Sequence, residues 1–222
     1  MSDAYRHALL NLIATHSFRL GDFTLASGQK SDYYIDCRTT TLHAEGGRLS
    51  GLVFYELIRE HMPYAIAVGG LTMGADPLVS NTASASAWAL ADYNEISALN
   101  DELELEDHDP GPPPTLIQGF LVRKAEKTHG TGRRIEGFLQ PGAPVVIVDD
   151  VCTTGGSTIT AIEATRDAGM TVAGVLCLVD RLQGGRDNIE RALAEVPSDV
   201  TPPFHAVFTA NDVRHAHIAL QR

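Results

Sequence analysis

Two adjacent acids, Asp149 and Asp150, follow the apolar run Val145-Val146-Ile147-Val148 and lead straight into Val151-Cys152-Thr153-Thr154-Gly155-Gly156-Ser157-Thr158. A β-branched run that is apolar on both faces reads as a buried parallel strand ending at the two acids, which puts both carboxylates at its carboxyl end. Open α/β sheets bind ligands in the crevice beyond those ends. Carboxylates there can accept hydrogen bonds from vicinal hydroxyls such as those of a ribose. The small hydroxyl residues and glycines that follow allow close backbone approach. A helix beginning near Ser157 then presents N–H groups that attract an anion without a basic side chain, and a monoester phosphate suits that nest. Residues Pro144 to Asp167 therefore read as strand, loop and helix holding a phosphorylated ribose. The simpler alternative is a plain strand-to-helix turn with Asp as a cap. No G-x-x-x-x-G-K-[ST] occurs and no G-x-G-x-x-G follows a strand, which disfavours a P-loop triphosphatase and a dinucleotide fold.

A second group of chemically active residues is cationic. Arg123, Lys124, Lys127, His129, Arg133 and Arg134 lie in one short stretch with Gly130, Gly132 and Gly137. The chain as a whole carries a formal charge of -11, so this concentration is informative. A basic, Gly-hinged segment can close over a polyanion and exclude water. The competing reading is an exposed helix laced with Lys–Glu pairs.

These residues need a frame. Tyr5 to His16 has apolar residues at helical spacing, and Phe23 to Asp36 reads as two short strands around a Gly-containing turn. Glu45 to His61 is helical, and Tyr64 to Val68 is a short strand ending at Gly69-Gly70. Asp76 to about Leu90 is an Ala-rich helix. Leu116 to Val122, Pro144 to Val148 and Thr171 to Val179 read as further strands. Alternating helices and apolar strands imply an α/β fold with a doubly wound, mainly parallel sheet flanked by helices.

With 222 residues and 44% hydrophobic content, one domain spanning 1–222 is the default. The acidic balance argues against nucleic-acid or membrane binding. No apolar run approaches the ~20 residues of a membrane span, and Met1 to Arg6 has no secretory pattern, so a cytoplasmic protein is expected. Cys37, Cys152 and Cys177 form no C-x-x-C pair, which fits a reducing compartment. Acidic Asp101 to Asp109 runs into Pro110-Gly111-Pro112-Pro113-Pro114, and residues 92–115 read as a solvated surface insertion.

The segment Val146 to Gly155 resembles the ribose-phosphate signature of type I phosphoribosyltransferases. Arg123-Lys124-Ala125-Glu126-Lys127-Thr128-His129-Gly130 resembles the catalytic loop of orotate phosphoribosyltransferases. Phe23-Thr24-Leu25-Ala26-Ser27-Gly28, Ser31-Asp32-Tyr33-Tyr34 and Leu178-Val179-Asp180-Arg181 resemble that family in the same order. The resemblance implies a small N-terminal hood over residues 1–45 and an α/β core over 46–200. It also implies transfer of phosphoribosyl from 5-phosphoribosyl 1-diphosphate to orotate, giving orotidine 5'-monophosphate and pyrophosphate in pyrimidine (UMP) synthesis. Mg²⁺ is the implied cofactor, held mainly by substrate and water with no direct protein ligand.

By the same resemblance, Lys124, Asp149 and Asp150 are the catalytic candidates. The 5-phosphoribosyl 1-diphosphate site comprises Arg123, Lys124, Lys127, His129, Asp149, Asp150, Val151, Cys152, Thr153, Thr154, Gly155, Gly156 and Ser157. Thr153, Arg181 and Tyr34 are implied for orotate, and a homodimer sharing the basic loop is implied as the assembly, with Lys124 crossing over. Some family members carry a Lys where Ala26 stands and a Tyr-Lys pair at Thr72-Met73. Lys30 and the backbone N–H groups of Gly70 to Gly74 are the candidates to replace those cations. A regulator of the same fold, or a phosphoribosyltransferase for another nucleobase, remains the alternative.

Overall fold

In the computed structural model, residues 3–24, 30–103, 111–124, 134–196 and 201–222 are described. The first half contains α1 (Asp3–His16), β1 (Phe18–Thr24), β2 (Lys30–Ile35), α2 (Arg38–Thr41), α3 (Ala44–His61), β3 (Ala67–Leu71) and α4 (Asp76–Glu102). The second contains β4 (Gln118–Val122), β5 (Ile135–Gly137), β6 (Pro144–Cys152), α5 (Gly156–Asp167), β7 (Thr171–Asp180), α6 (Gly185–Ala194), β8 (Phe204–Thr209) and α7 (Ala210–Leu220). Strands β1 and β2 form an antiparallel hairpin. The others form one sheet in the order β5-β4-β3-β6-β7-β8, parallel throughout except at the β4–β5 pair.

The order in which strands are added reverses between the parallel neighbours β3 and β6. From β3 the chain crosses through α4 to β4 on one side, and from β6 it crosses through α5 to β7 on the other. A doubly wound sheet opens a crevice at such a point, beyond the carboxyl ends of the two strands.

The apolar alternation of β6 shows why this strand lies at the centre. Val146 and Val148 belong to the core formed with α1, α3, α4 and α7, while Val145 and Ile147 belong to the core formed with α5 and α6. All four side chains are at most 1% exposed, and each such burial contributes roughly 1.5–3 kcal/mol before the cost of ordering. The hairpin rests on the same assembly, with the Phe18 ring stacked on Tyr33 at 5.5 Å and also against His217 of α7 at 5.0 Å.

Several elements differ from the sequence expectation. Strand β3 begins at Ala67 and includes both glycines. A Cβ on Gly69 would lie 2.2 Å from the Phe120 ring, and one on Gly70 would lie 2.2 Å from the Val148 carbonyl. Close packing therefore requires these glycines inside the strand. Helix α4 continues past Leu90 to Glu102, over residues without Gly or Pro to end it. Tyr93 Oη donates to the Gly111 carbonyl at 2.8 Å and ties the returning chain to that helix. Residues 104–110 of the acidic insertion lie outside the described residues. The sheet also takes its edge strand β8 from beyond residue 200, where the core was expected to end.

Candidate active site

Strand β6 does not stop at Val148. It pairs with β7 as far as Cys152 opposite Asp180, whereas its pairing with β3 ends at Ile147 opposite Gly69. The two acids therefore sit within the last stretch of the strand, where one neighbour has left. Side-chain alternation sends Asp149 after Val145 and Ile147, towards α5, and there the Thr158 hydroxyl donates to its Oδ2 at 2.6 Å. The Asp150 backbone N–H donates to Asp149 Oδ1 at 3.0 Å. Asp150 follows Val146 and Val148 towards the β3 side. Its Oδ1 accepts from the Val151 N–H, and a Cβ on Gly74 would meet that same oxygen at 2.3 Å.

Both carboxyls lie in low dielectric. Burial pushes Asp149 up to about 7, against the opposing Thr158 hydrogen bond, with the neighbouring Asp150 charge adding to the rise. Burial also raises Asp150, opposed by the Val151 N–H; the Asp36 charge adds to the rise and the positive charge of Arg38 works against it.

Beyond the acids, Gly155 adopts φ 82° as the N-cap of α5, a conformation that favours glycine. A side chain there would also approach Ile189 Cγ1 to 2.9 Å. No side chain caps α5, which leaves its first-turn N–H groups for an anion. Thr153 and Ser157 line the cavity, and the Thr154 carbonyl accepts from Asn188 Nδ2 at 2.9 Å. Cys152 is buried in the core instead. A Cβ on Gly185 would come within 2.3 Å of its Sγ, so its side chain serves packing rather than ligand binding. Thr154, Gly155 and Gly156 form the turn and do not line the cavity.

A cavity of about 960 Å³ joins these parts. Asp149, Asp150, Val151, Thr153 and Ser157 form one side, Leu71 to Gly74 another, and Tyr34 to Asp36 with Arg38 the hood side; Arg123, Lys124 and Arg181 complete it. The ends of the basic stretch are held together because the Arg123 N–H donates to the Arg134 carbonyl at 2.8 Å. Arg123 Nη1 lies 3.4 Å from Glu136 Oε1, and Lys124 forms no ion pair among the described residues. Lys127, His129 and Arg133 lie outside the described residues, as do Gly130 and Gly132.

Arg181 is fixed at both ends. Its backbone N–H donates to the Cys152 carbonyl at 2.9 Å, and its guanidinium lies 4.8 Å from the Tyr33 ring centroid. Its Nε donates to Tyr33 Oη and its Nη2 to Ser31 Oγ, each at 3.4 Å. Tyr34 lines the cavity, with its ring against Phe23. Ala26 lies outside the described residues, whereas Lys30 donates to Thr24 Oγ1 at 3.0 Å and does not line the cavity. Lys30 therefore does not supply the cation expected of it there. Met73 does line the cavity and is 66% exposed.

Sequence reasoning missed Thr158, Asp36, Arg38 and the Tyr33–Ser31 seat of Arg181. A charged Asp36-Cys37-Arg38 directly after a strand was the available signal for two of them. No cluster of three His, Cys, Asp or Glu side chains suited to a metal occurs among the described residues. The two carboxylates beside an anion-binding loop instead offer few, hard oxygens. That donor set fits Mg²⁺ held largely by phosphate oxygens and water.

Residues 122–200 match the phosphoribosyl transferase domain model. The chain is 41% identical over 189 residues to an orotate phosphoribosyltransferase from Aquifex aeolicus, covering 84% of this chain and 89% of that one. It is 38% identical over 213 residues to one from Synechocystis, covering 96% and 90% of the two chains. The structure aligns with Mycobacterium tuberculosis orotate phosphoribosyltransferase in complex with 5-phospho-alpha-D-ribosyl 1-diphosphate. The TM-score is 0.65 at 30% identity, over 95% of this chain and 99% of that one.

Proposed function

The chain belongs to the orotate phosphoribosyltransferase family, and on that premise we propose that it transfers phosphoribosyl from 5-phosphoribosyl 1-diphosphate to orotate. The products are orotidine 5'-monophosphate and pyrophosphate, in pyrimidine nucleotide (UMP) synthesis. The observation that carries this reading is the convergence of Asp149, Asp150, the uncapped start of α5 and Arg181 on one cavity at the point where the winding of the sheet reverses.

Each part has a distinct task. The N–H groups at the start of α5 hold the 5'-phosphate, with Thr153 and Ser157 beside them. Asp149 and Asp150 accept from the ribose hydroxyls and orient the sugar. As the bond to the diphosphate lengthens, positive charge grows on the ribosyl ring and negative charge on the departing group. Lys124 and Arg123 stabilise that leaving group, together with Lys127 and His129 in the basic stretch. Arg181, held over the Tyr33 ring, presents its guanidinium to the planar carboxylate of orotate near Tyr34 and Thr153. When bound, Mg²⁺ would supply charge neutralisation on the diphosphate, and Asp149 or Asp150 would hold it through water.

The assembly is a homodimer that shares the basic stretch between subunits, a reading that rests on family resemblance. Among the described residues no helix is long and apolar enough to cross a membrane. Substrates that are charged and do not cross bilayers unaided support a cytoplasmic site of action.

The direct test is loss of orotate absorbance in the presence of Mg²⁺ and 5-phosphoribosyl 1-diphosphate. Turnover with orotate and none with uracil, adenine, guanine or xanthine is expected. Absence of orotate turnover refutes the assignment, and turnover of another base redirects it.

A further inference from the structure

We propose that Arg38, steered by Asp36, binds the diphosphate end of the ribosyl donor; this rests on reading the cavity as a phosphoribosyl-donor site. That cavity must hold three anionic groups: a monoester phosphate, a carboxylate and a diphosphate. The start of α5 faces the first and Arg181, anchored beside Cys152 and Thr153, suits the second. The wall left over is the end of β3, where Leu71, Thr72, Met73 and Gly74 face the cavity without a charged side chain.

Arg38 reaches that wall from the hood. It lines the cavity with Met73, Gly74 and Asp150, and with Met73 it also borders a second cavity of about 520 Å³ that contains Asp76. It therefore stands on the β3–α4 side. Asp36 Oδ1 accepts from Arg38 Nε at 2.8 Å and from its backbone N–H at 3.1 Å, and Asp36 Oδ2 accepts from Nη2 at 2.7 Å. This grip occupies one edge of the guanidinium. The Nη1 edge has no partner among the described residues, although the side chain remains 44% exposed.

A guanidinium fixed on one edge presents the other in a set direction at little entropic cost, a geometry matched to paired phosphate oxygens. Arg38 also sits close enough to Asp150 for each charge to favour the ionised form of the other. Asp36 acts as a positioning residue, since its carboxylate is occupied by Arg38.

Titration calorimetry with inorganic pyrophosphate and Mg²⁺, and separately with 5-phosphoribosyl 1-diphosphate, tests the assignment on the full chain. Orotidine 5'-monophosphate is the control ligand, because it has the phosphate and carboxylate but no diphosphate. Arg38→Ala should weaken both diphosphate ligands about tenfold or more and leave the control within about twofold. Arg38→Lys should recover part of the loss, as a point charge without the fork. Asp36→Asn should fall between, with the KM for the donor raised and that for orotate unchanged. Unchanged pyrophosphate affinity in Arg38→Ala overturns the proposal, and so does an equal loss for the control ligand, which would place Arg38 at the acceptor base. A wild-type protein that binds both diphosphate ligands but does not consume orotate fails only the orotate reading, and Arg38 is then judged by the titration alone.

Discussion

The Thr158 hydroxyl donates to Asp149 Oδ2 across 2.6 Å, linking the first turn of α5 to the last stretch of β6. Burial raises Asp149 to about 7, and this hydrogen bond is the largest influence holding it down. Ribose hydroxyls need an ionised acceptor, so kcat/KM for 5-phosphoribosyl 1-diphosphate should fall as pH drops through about 7, because that parameter reports the free enzyme. Thr158→Val removes the bond that favours the carboxylate and should move the acid limb to higher pH. Paired pH–rate profiles check this, and an unmoved limb would show that Asp149 is not the titrating group.

The same burial has a consequence for stability. A carboxyl whose folded pKa lies above its unfolded value of 3.8 binds more protons in the native state between those two values. Its stabilising contribution is complete below about 4 and is lost as pH rises through about 7. Asp149→Asn should therefore melt higher than the wild type at pH 8 and show a smaller fall in Tm between pH 5 and 8. Thermal melts of the ligand-free proteins across that range provide the measurement. Identical slopes would mean that Asp149 is already ionised without cost.

How much of this was legible in the sequence follows from what each residue's role depends on. Val145 to Val148 announce a doubly covered strand because alternation between two cores needs apolar residues on both faces. Asp149, Asp150, Thr153 and Ser157 were readable because they follow that strand in one uninterrupted order. The glycines of β3 misled, since Gly normally ends a strand and only the packing of Phe120 and the Val148 carbonyl makes it necessary inside one. Thr158 and Arg38 were hidden for another reason. Their roles depend on partners or walls brought together by the fold: Thr158 carries no local signature, and the charged Asp36-Cys37-Arg38 after a strand marks a site without naming its partner wall. The Cys152 side chain, at the end of β6, packs against Gly185 as a small apolar residue, which its type already suggested.

Arg181 and Tyr33 give a prediction that separates charge from geometry. The guanidinium lies over the Tyr33 ring at 4.8 Å and donates to Tyr33 Oη and Ser31 Oγ. Arg181→Lys keeps the charge but loses the fork, and should raise the KM for orotate about tenfold. Tyr33→Leu removes the stack, roughly 1 kcal/mol, and should raise it a few-fold through misplacement of Arg181. The KM for 5-phosphoribosyl 1-diphosphate should stay unchanged in both variants. Steady-state kinetics with each substrate varied decide it, and a rise confined to the ribosyl donor would remove Arg181 from the orotate site.

Lys124 tests both the chemistry and the assembly. It lines the cavity without an ion partner among the described residues, at the point where the basic stretch leaves β4. Lys124→Ala should lower kcat by well over tenfold, equivalent to more than ~1.4 kcal/mol of barrier, with orotate binding preserved. Arg181→Ala should be inactive for a different reason, loss of the acceptor site. If the basic stretch serves the neighbouring subunit, mixing the two variants under exchange conditions creates dimers with one complete site, and activity should return to roughly a quarter of wild type. If each chain uses its own Lys124, the mixture stays inactive, because every site then lacks one of the two groups.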